Sequence, residues 1–192
     1  MTTFVLATAN PHKAVEMRAV LTPLGVEVED RPADVADVEE TGETLEENAL
    51  LKARALVAAT HRAAIADDTG LFVDALDGRP GVHSARYAGE TASNDDNVTK
   101  LLGELEGVET RTARFVTVIA VALPDGTSFC VQGELKGTID YARAGDQGFG
   151  YDPVFVPDGD ARTLAELTPQ EKNASSHRAR ALRALSEELT RR

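Results

Sequence analysis

The sequence predicts an α/β fold in which a mixed β-sheet is flanked by helices. Short apolar segments alternate with amphipathic helical segments along the first half of the chain, a pattern typical of strands joined through helices. Two further apolar segments flank Pro124-Asp125-Gly126, which predicts an antiparallel hairpin. Both kinds of connection in one chain indicate a mixed sheet. A chain of 192 residues has the length of one domain, so we expect residues 1–192 to form a single domain.

The first half of the chain carries clear signals for where its helices begin. Residues 3–8 predict a buried strand, after which Asn10 caps a helix that has Pro11 in its first position and ends at Gly25. Residues 26–29 predict a second strand. Thr44 and Glu47 form a capping-box sequence for a helix that runs to about residue 60. The buried faces of these helices are expected to carry Ala14, Met17, Leu21 and Leu24 in the first, and Leu45, Ala49, Ala53 and Leu56 in the second.

The second half of the chain adds the hairpin and three helices. Residues 63–66 predict a strand that ends at a turn, Asp67-Asp68-Thr69-Gly70, and residues 71–76 predict another strand. Loops are expected over 77–90 and 145–153, and the hairpin strands over 114–123 and 127–135. Helices are predicted over 94–105, from Thr168 onward, and at the C-terminus with Ala179, Leu182, Leu185 and Leu189 on one face.

Composition argues against several functional classes. The formal net charge of −12 disfavours binding to a nucleic-acid backbone. The arginines of the C-terminal segment alternate with acids and predict a solvated helix face. The longest apolar run, 115–123, is interrupted by Thr117 and is too short to span a bilayer, and the N-terminus lacks a signal-peptide pattern. The single cysteine, Cys130, is expected to be buried and inert. We therefore expect a cytoplasmic protein with neither nucleic-acid nor membrane partners.

The first candidate site is the segment Thr8-Ala9-Asn10-Pro11-His12-Lys13, where a strand leads into a helix. A helix N-terminus presents free N–H groups and a partial positive charge, which together bind phosphate. Thr8 and Asn10 add short polar side chains, and Lys13 adds a full charge. The simpler alternative is a helix cap followed by a surface lysine.

Two acidic segments are candidates for a metal site. Glu39 and Glu40 precede the second helix, and clustered carboxylates suit a hard cation such as Mg²⁺. Lys52, one turn after Asn48, could reach a site near the start of that helix. Successive side chains of an extended chain point to opposite sides. One carboxylate of the pair Asp67-Asp68 can therefore face a site while the other braces it. Each segment also has a simpler structural explanation. The acids before the second helix could merely complement its dipole, and Asp67-Asp68-Thr69-Gly70 could form an ordinary tight turn.

Two later segments could contact a substrate. Phe149, Gly150, Tyr151 and Asp152 lie in a glycine-rich loop where an aromatic ring could stack on a base. Lys172, His177 and Arg178 lie at helix starts and could bind an anion or a carbonyl group. Simple packing of the loop and simple capping of the helices remain the alternatives.

The order of the motifs is more informative than any motif alone. Between residues 8 and 178 the chain contains, in order, Thr-x-Asn-x-x-Lys, Glu-Glu-Thr-Gly, Glu-Asn-Ala-x-x-Lys-Ala, Ala-Asp-Asp-Thr-Gly-Leu, Pro-Gly-x-x-Ser-Ala-Arg-Tyr, Gly-Phe-Gly-Tyr-Asp-Pro and Ser-His-Arg. This series closely resembles the inosine triphosphate pyrophosphatase family, also called the non-standard purine NTP pyrophosphatases. The resemblance covers nearly the whole chain. Thr69 stands where many relatives have serine, and Ala9 replaces a frequent glycine.

The resemblance implies an elongated mixed sheet with two lobes, an active site in the cleft between them, a homodimer and dependence on Mg²⁺. It also implies cleavage of ITP, dITP or XTP between the α- and β-phosphates. By matching motif, Asp68 corresponds to the catalytic carboxylate, which is also associated with metal, and Glu39 or Glu40 to a metal ligand. The matching substrate-contacting positions are Thr8, Ala9, Asn10, Pro11, His12, Lys13, Lys52, Thr69, Phe149, Gly150, Tyr151, Asp152, Lys172, His177 and Arg178.

Other functions remain possible from the sequence alone. A pyrophosphatase of the related Maf type would act on pyrimidine or modified nucleotides, and a non-catalytic nucleotide-binding regulator could share the fold. A Nudix hydrolase is disfavoured because the chain has no Arg-Glu-x-x-Glu-Glu helix.

Overall fold

The computed structural model describes residues 3–192, and within them the chain forms one mixed sheet with five α-helices. The seven strands are β1 (Phe4–Leu6), β2 (Val28–Glu29), β3 (Ala64–Val73), β4 (Pro80–Gly81), β5 (Thr112–Ala122), β6 (Ser128–Ile139) and β7 (Phe155–Pro157). The helices are α1 (Pro11–Leu21), α2 (Leu45–Thr60), α3 (Asn94–Glu104), α4 (Pro169–Ser175) and α5 (His177–Arg191). The predicted α/β class is confirmed.

The sheet is mixed, as predicted. Its strand order is β2-β1-β3-β5-β6-β7, and β4 pairs with β3. β1 is parallel to β2 and to β3, whereas β4 is antiparallel to β3 and β7 is antiparallel to β6. β5 and β6 are neighbours joined by a tight turn, in which Leu123 N–H bonds to the Thr127 carbonyl at 2.9 Å, so they form the predicted hairpin.

The chain divides into two compact units, each with its own apolar core. The first unit comprises the described part of Met1–Asp68 together with Thr117–Gly133 and His177–Arg192, and the second comprises Thr69–Val116 and Glu134–Ser176. Phe4, Met17 and Leu182 are buried in the core of the first unit. Leu71, Leu101 and Phe155 are buried in that of the second.

The helix starts agree with the sequence because capping is a local interaction. The Asn10 side chain accepts from His12 N–H and Lys13 N–H at the start of α1, and Thr44 with Glu47 forms the predicted capping box at α2. The four apolar residues predicted for α2 are all buried. In α1 the prediction for Leu24 is wrong, since its side chain is 42% exposed. The α-helix gives way to a 3₁₀ turn at Thr22–Leu24, and the different rotation per residue takes Leu24 off the buried face.

Further differences concern the surface and the cysteine. Cys130 is half-buried rather than buried, and burial raises the pKa of its thiol to about 11, which favours the protonated form over the reactive thiolate. Arg178 is almost fully buried, so the predicted solvated face of α5 does not include it. None of the helices in residues 3–192 is long and apolar enough to cross a membrane.

Candidate functional site

The two adjacent aspartates lie in the middle of a strand rather than at its end. β3 runs without interruption through Asp67-Asp68-Thr69-Gly70, so the turn predicted there is wrong. Gly70 permits this because β4 lies close against it: a Cβ on Gly70 would lie 2.6 Å from the Gly81 carbonyl oxygen. Because side chains alternate along a strand, Asp67 and Asp68 point to opposite faces and acquire different partners.

Asp67 is the centre of a buried ionic network in the first unit. Its Oδ2 atom lies 3.0 Å from Lys13 Nζ and 3.2 Å from Arg178 Nη2. Arg178 also pairs with Glu16 of α1. Burial alone would raise the pKa of Asp67, but Lys13, Arg178 and Lys52 outweigh it and hold that pKa well below its usual value. Asp67 is therefore a charged carboxylate at neutral pH that ties α1 and α5 to β3.

Asp68 belongs to a second cluster in the same unit, with Lys52 and Glu40. Lys52 Nζ lies 2.8 Å from Asp68 Oδ1 and 2.7 Å from Glu40 Oε1, so one ammonium group holds two carboxylates. Burial raises the pKa of Asp68, an effect that Lys52 opposes and Glu40 reinforces. Burial would lower the pKa of Lys52, but Asp68, Asp67 and Glu40 outweigh it and the pKa is raised. Lys52 stays charged, whereas Asp68 has an increased affinity for protons.

The segment before α2 brings Glu40 to this cluster. Asn48, buried in the first turn of α2, accepts a hydrogen bond from Gly42 N–H at 2.8 Å and so anchors the segment that carries Glu40. Lys52 follows one turn later on the same helix, as the sequence predicted. Glu40 is half-buried and bonded to Lys52, whereas Glu39 is exposed.

The segment from Thr8 to Lys13 forms the strand-to-helix junction that the sequence predicted. Thr8 Oγ1 accepts a hydrogen bond from Asn10 N–H at 3.1 Å, and Asn10 Oδ1 accepts from His12 N–H at 2.9 Å. Ala9, Pro11 and His12 are exposed. The junction is an ordered cap that presents the positive end of an 11-residue helix, with Lys13 held against Asp67.

His177 is the first residue of α5 and is 4% exposed. Its Nδ1 atom lies 2.7 Å from the hydroxyl oxygen of Thr117, which comes from the interior of β5. Close packing of α5 on β6 sets the position of this turn, because a Cβ on Gly133 would overlap the backbone of His177 and Ala181. His177 is therefore held by both its backbone and its ring.

The remaining predicted residues form a separate cluster in the second unit. Lys172 Nζ lies 2.6 Å from Asp152 Oδ2, and both side chains are buried. The same carboxylate oxygen accepts from Phe149 N–H at 2.9 Å, and the ammonium group lies 4.9 Å from the centre of the Phe149 ring. Gly148 has a φ of +75° and lies directly against Asp152, so this turn requires glycine.

The second unit also contains Tyr151, Gly150 and Thr69, which lie outside the ion pair of Lys172 and Asp152. The Tyr151 hydroxyl is buried and donates to the Ser84 carbonyl at 2.8 Å, which makes it a packing residue of the loop. Gly150 has a φ of +64°, and Thr69 is half-buried on β3.

Sequence reasoning missed two residues of these clusters, Glu16 and Thr117. Glu16 lies one helical turn after Lys13, a spacing that places both on one face of α1. Thr117 interrupts an otherwise apolar strand, which was a visible signal without an obvious partner. Within residues 3–192 there is no group of three or more acidic, histidine or cysteine side chains arranged to hold a metal by itself.

Comparison with known proteins gives a consistent result over the whole chain. A model of the Ham1 family matches residues 4–188. The dITP/XTP pyrophosphatase of Streptomyces coelicolor is 50% identical over 191 residues, covering 96% of this chain and 96% of that protein. The Bacillus subtilis protein of the same name is 46% identical over 190 residues, with 96% of each chain covered. A HAM1 protein from Coxiella burnetii superimposes with a TM-score of 0.90 at 42% identity and full coverage of both chains.

Proposed function

Because this chain belongs to the Ham1 family, we propose that it hydrolyses deaminated purine nucleoside triphosphates, such as ITP, dITP and XTP. The products are the nucleoside monophosphate and pyrophosphate, so the protein is a hydrolase acting on phosphoric anhydrides. The observation that carries this proposal is the Asp68–Lys52–Glu40 cluster, in which one ammonium group holds two carboxylates close together. It supports the activity named for relatives that are about half identical over nearly their full length.

We further propose that the metal used is Mg²⁺, since nucleotide pyrophosphatases of this family are generally metal-dependent. The donor chemistry fits, because Asp68 and Glu40 are hard oxygen donors already drawn together around one cation. Mg²⁺ commonly binds to proteins through one or two carboxylates together with substrate phosphates. When bound, the metal would neutralise phosphate charge and polarise the bond to be broken. Asp68 with Glu40 would hold it, and Glu39 is the further candidate ligand from the sequence.

In the proposed reaction Asp68 and Lys52 have different roles. Asp68 orients the attacking water and accepts its proton, a role that suits a carboxylate whose pKa is raised by burial. Lys52 keeps the carboxylates of Asp68 and Glu40 in place and supplies positive charge near the phosphates. In phosphoryl transfer the protein contributes mainly positioning and charge stabilisation, which these ion pairs would provide.

Phosphate binding is assigned to the start of α1. The partial positive charge at the N-terminus of α1 and the ammonium group of Lys13 are complementary to a polyanion. The ion pair with Asp67 holds the ammonium group of Lys13 in position before substrate arrives. In the second unit, Lys172 would likewise offer positive charge, and the ring of Phe149 a stacking surface.

Selectivity for the base is assigned to donors at the start of α5. Hypoxanthine and xanthine carry a carbonyl acceptor at C6, whereas adenine carries an amino donor there. A donor from His177 would favour the carbonyl, and a wrongly paired buried polar group costs roughly 1–3 kcal/mol, or about 5- to 150-fold in kcat/KM. Guanine shares the carbonyl, so its exclusion depends on the 2-amino group.

The activity is tested by measuring pyrophosphate release from ITP, XTP, GTP, ATP, dTTP and UTP, with and without Mg²⁺. We expect pyrophosphate from ITP and XTP only when Mg²⁺ is present, and little from GTP or ATP. Removing Mg²⁺ with EDTA should abolish turnover, and adding it back should restore it. Release of orthophosphate would contradict the cleavage position, turnover of dTTP or UTP would indicate Maf-type specificity, and binding without turnover would indicate a regulator.

We also propose that the protein is a homodimer that acts in the cytoplasm on the nucleotide pool. Both statements rest on the family resemblance. Sedimentation equilibrium measures the first directly: a mass of twice 20.5 kDa is expected, and a single 20.5-kDa species at micromolar concentration would contradict it.

A further inference from the structure

Thr117 is a polar residue in a strand that is otherwise buried and apolar. It lies in β5 and is 0% exposed, with Val116 and Val118 on either side. A buried hydroxyl group costs free energy unless it forms a hydrogen bond. Here the hydroxyl oxygen lies 2.7 Å from Nδ1 of His177, 60 residues further along the chain. Thr117 therefore contacts a residue that the resemblance places at the substrate.

The surroundings of His177 favour a neutral imidazole ring. The residue is almost fully buried, and burial disfavours a charged ring. It also lies in the first turn of a 15-residue helix, where the partial positive charge of the helix N-terminus disfavours a second cation. A neutral imidazole has one donor nitrogen and one acceptor nitrogen, and which is which depends on the hydrogen bonds formed by each.

We propose that Thr117 is a positioning residue that donates its hydroxyl proton to Nδ1 of His177 and thereby keeps the imidazole proton on Nε2. Nε2 is then a donor, the complement of a carbonyl at C6 of the purine. In the opposite tautomer Nε2 would be an acceptor, the complement of the amino group of adenine. The inference rests on the proposed function, in which His177 recognises the base. It adds that Thr117, a residue inside the sheet, determines whether Nε2 of His177 donates or accepts the hydrogen bond to the base.

The first test is direct and requires no substrate. Long-range ¹H–¹⁵N NMR spectra of protein labelled at histidine report which ring nitrogen carries the proton, and loss of one signal set in His177→Gln assigns the residue among the 4 histidines. We expect the Nε2–H tautomer in the wild-type protein. An Nδ1–H tautomer or a doubly protonated ring at pH 7 would overturn the proposal.

The second test uses variants of Thr117. Thr117→Val keeps the shape of the side chain but removes the hydroxyl, and Thr117→Ser keeps the hydroxyl. We expect Thr117→Val to show mixed tautomers at His177 and to lower the ratio of kcat/KM for ITP over ATP by roughly 5- to 150-fold, whereas Thr117→Ser retains both wild-type properties. A Thr117→Val protein with the wild-type tautomer and the wild-type ratio would overturn the proposal.

A matched control separates loss of the hydroxyl at this place from loss of a hydroxyl in general. Thr112 begins the same strand and donates to Asp74 at 2.6 Å on the surface, so Thr112→Val should leave both the tautomer and the ratio unchanged. If Thr117→Val fails to fold, the wild-type and Thr117→Ser spectra still decide the question. If neither ITP nor XTP is hydrolysed, the proposed function fails, while the spectra separately show whether Thr117 sets the tautomer.

Discussion

Asp67 and Asp68 are adjacent in the chain, but their surroundings shift the pKa values of the two carboxyl groups in opposite directions. Two cations bind Asp67 and hold its pKa low, whereas burial raises the pKa of Asp68 despite Lys52. The alternation of side chains along β3 is sufficient to separate them. One carboxylate is thus a structural brace and the other is available for proton transfer.

Replacing each aspartate by asparagine should therefore have different consequences. Asp67→Asn leaves Arg178 buried with only part of its counter-charge, and breaking a buried ion pair costs on the order of 3–5 kcal/mol of unfolding free energy. Asp68→Asn should fold normally but lose about 10²- to 10⁴-fold in kcat. Urea unfolding and pyrophosphate release on both variants check this. An Asp68→Asn protein with near-normal turnover would remove Asp68 from the catalytic role.

The effect of Asp67→Asn on stability should depend on pH in a defined direction. A carboxyl group whose pKa is lowered by folding contributes stability above its unfolded value of 3.8, and this contribution is lost as the pH falls. The difference in unfolding free energy between wild type and Asp67→Asn should be full at pH 7 and should shrink below about pH 4. A constant difference would contradict the charged state assigned to Asp67.

Arg178 shows where sequence reasoning reaches its limit for single residues. Its place in an arginine-rich helix predicts a solvated face, and only the motif resemblance marked it as special. The fold reverses the local prediction by bringing Asp67, 111 residues distant in sequence, to its guanidinium group. A helical pattern shows which residues share a face, but the partner on the other side is set by tertiary contacts.

At the scale of elements, local signals predicted helices well and strand pairing poorly. Caps at Asn10, Thr44 and Thr168 act within four residues, so the starts of α1, α2 and α4 follow from the sequence. The continuity of β3 does not, because Asp67-Asp68-Thr69-Gly70 has turn-forming composition and is kept extended by its neighbouring strands. The sequence predicted neither β4 nor β7: β4 is a two-residue strand that pairs with the end of β3 but lies inside the predicted loop 77–90, and β7 pairs with β6 after a long intervening loop.

The packing of α5 on β6 depends on the absence of a side chain at Gly133. A Cβ there would overlap backbone atoms of both His177 and Ala181, so Gly133→Ala must displace the first turn of α5. We expect a loss of about 1–3 kcal/mol in unfolding free energy, as for other overpacking substitutions, together with reduced kcat/KM because His177 moves.

Gly103 provides the matched control for this substitution. It lies in α3, and a Cβ there would meet nothing within 4 Å. Gly103→Ala should therefore stabilise the protein by up to about 1 kcal/mol, because alanine loses less backbone entropy in a helix. Equal stability changes in the two variants, measured by urea unfolding, would show that close packing at Gly133 does not limit the position of α5.

At the scale of the whole molecule, the division into two cores is not evident from the sequence. Length alone predicted a single domain, and the resemblance supplied the two lobes. β3 and β5 each pass from one compact unit into the other, so no linker or change in composition marks the boundary. The net charge, by contrast, is fixed by the sequence and acts on every approaching ligand.

The net charge of −12 should repel a nucleotide that itself carries about two negative charges as its Mg²⁺ complex. Raising the ionic strength from 0.01 to 0.15 M shortens the screening length from about 30 Å to about 8 Å, which weakens this repulsion more than the short-range attraction of Lys13 and Lys52. Because kcat/KM refers to free enzyme and free substrate, it includes this repulsion. We expect kcat/KM for ITP to rise about two- to fivefold over that range, with Mg²⁺ held constant.

The control is a variant in which two exposed acids, Glu106 and Glu109, are both replaced by lysine. This double substitution changes the formal net charge from −12 to −8, so the variant should show a shallower rise of kcat/KM with ionic strength. A fall in kcat/KM with added salt would show instead that the lysines near the site dominate the approach of substrate.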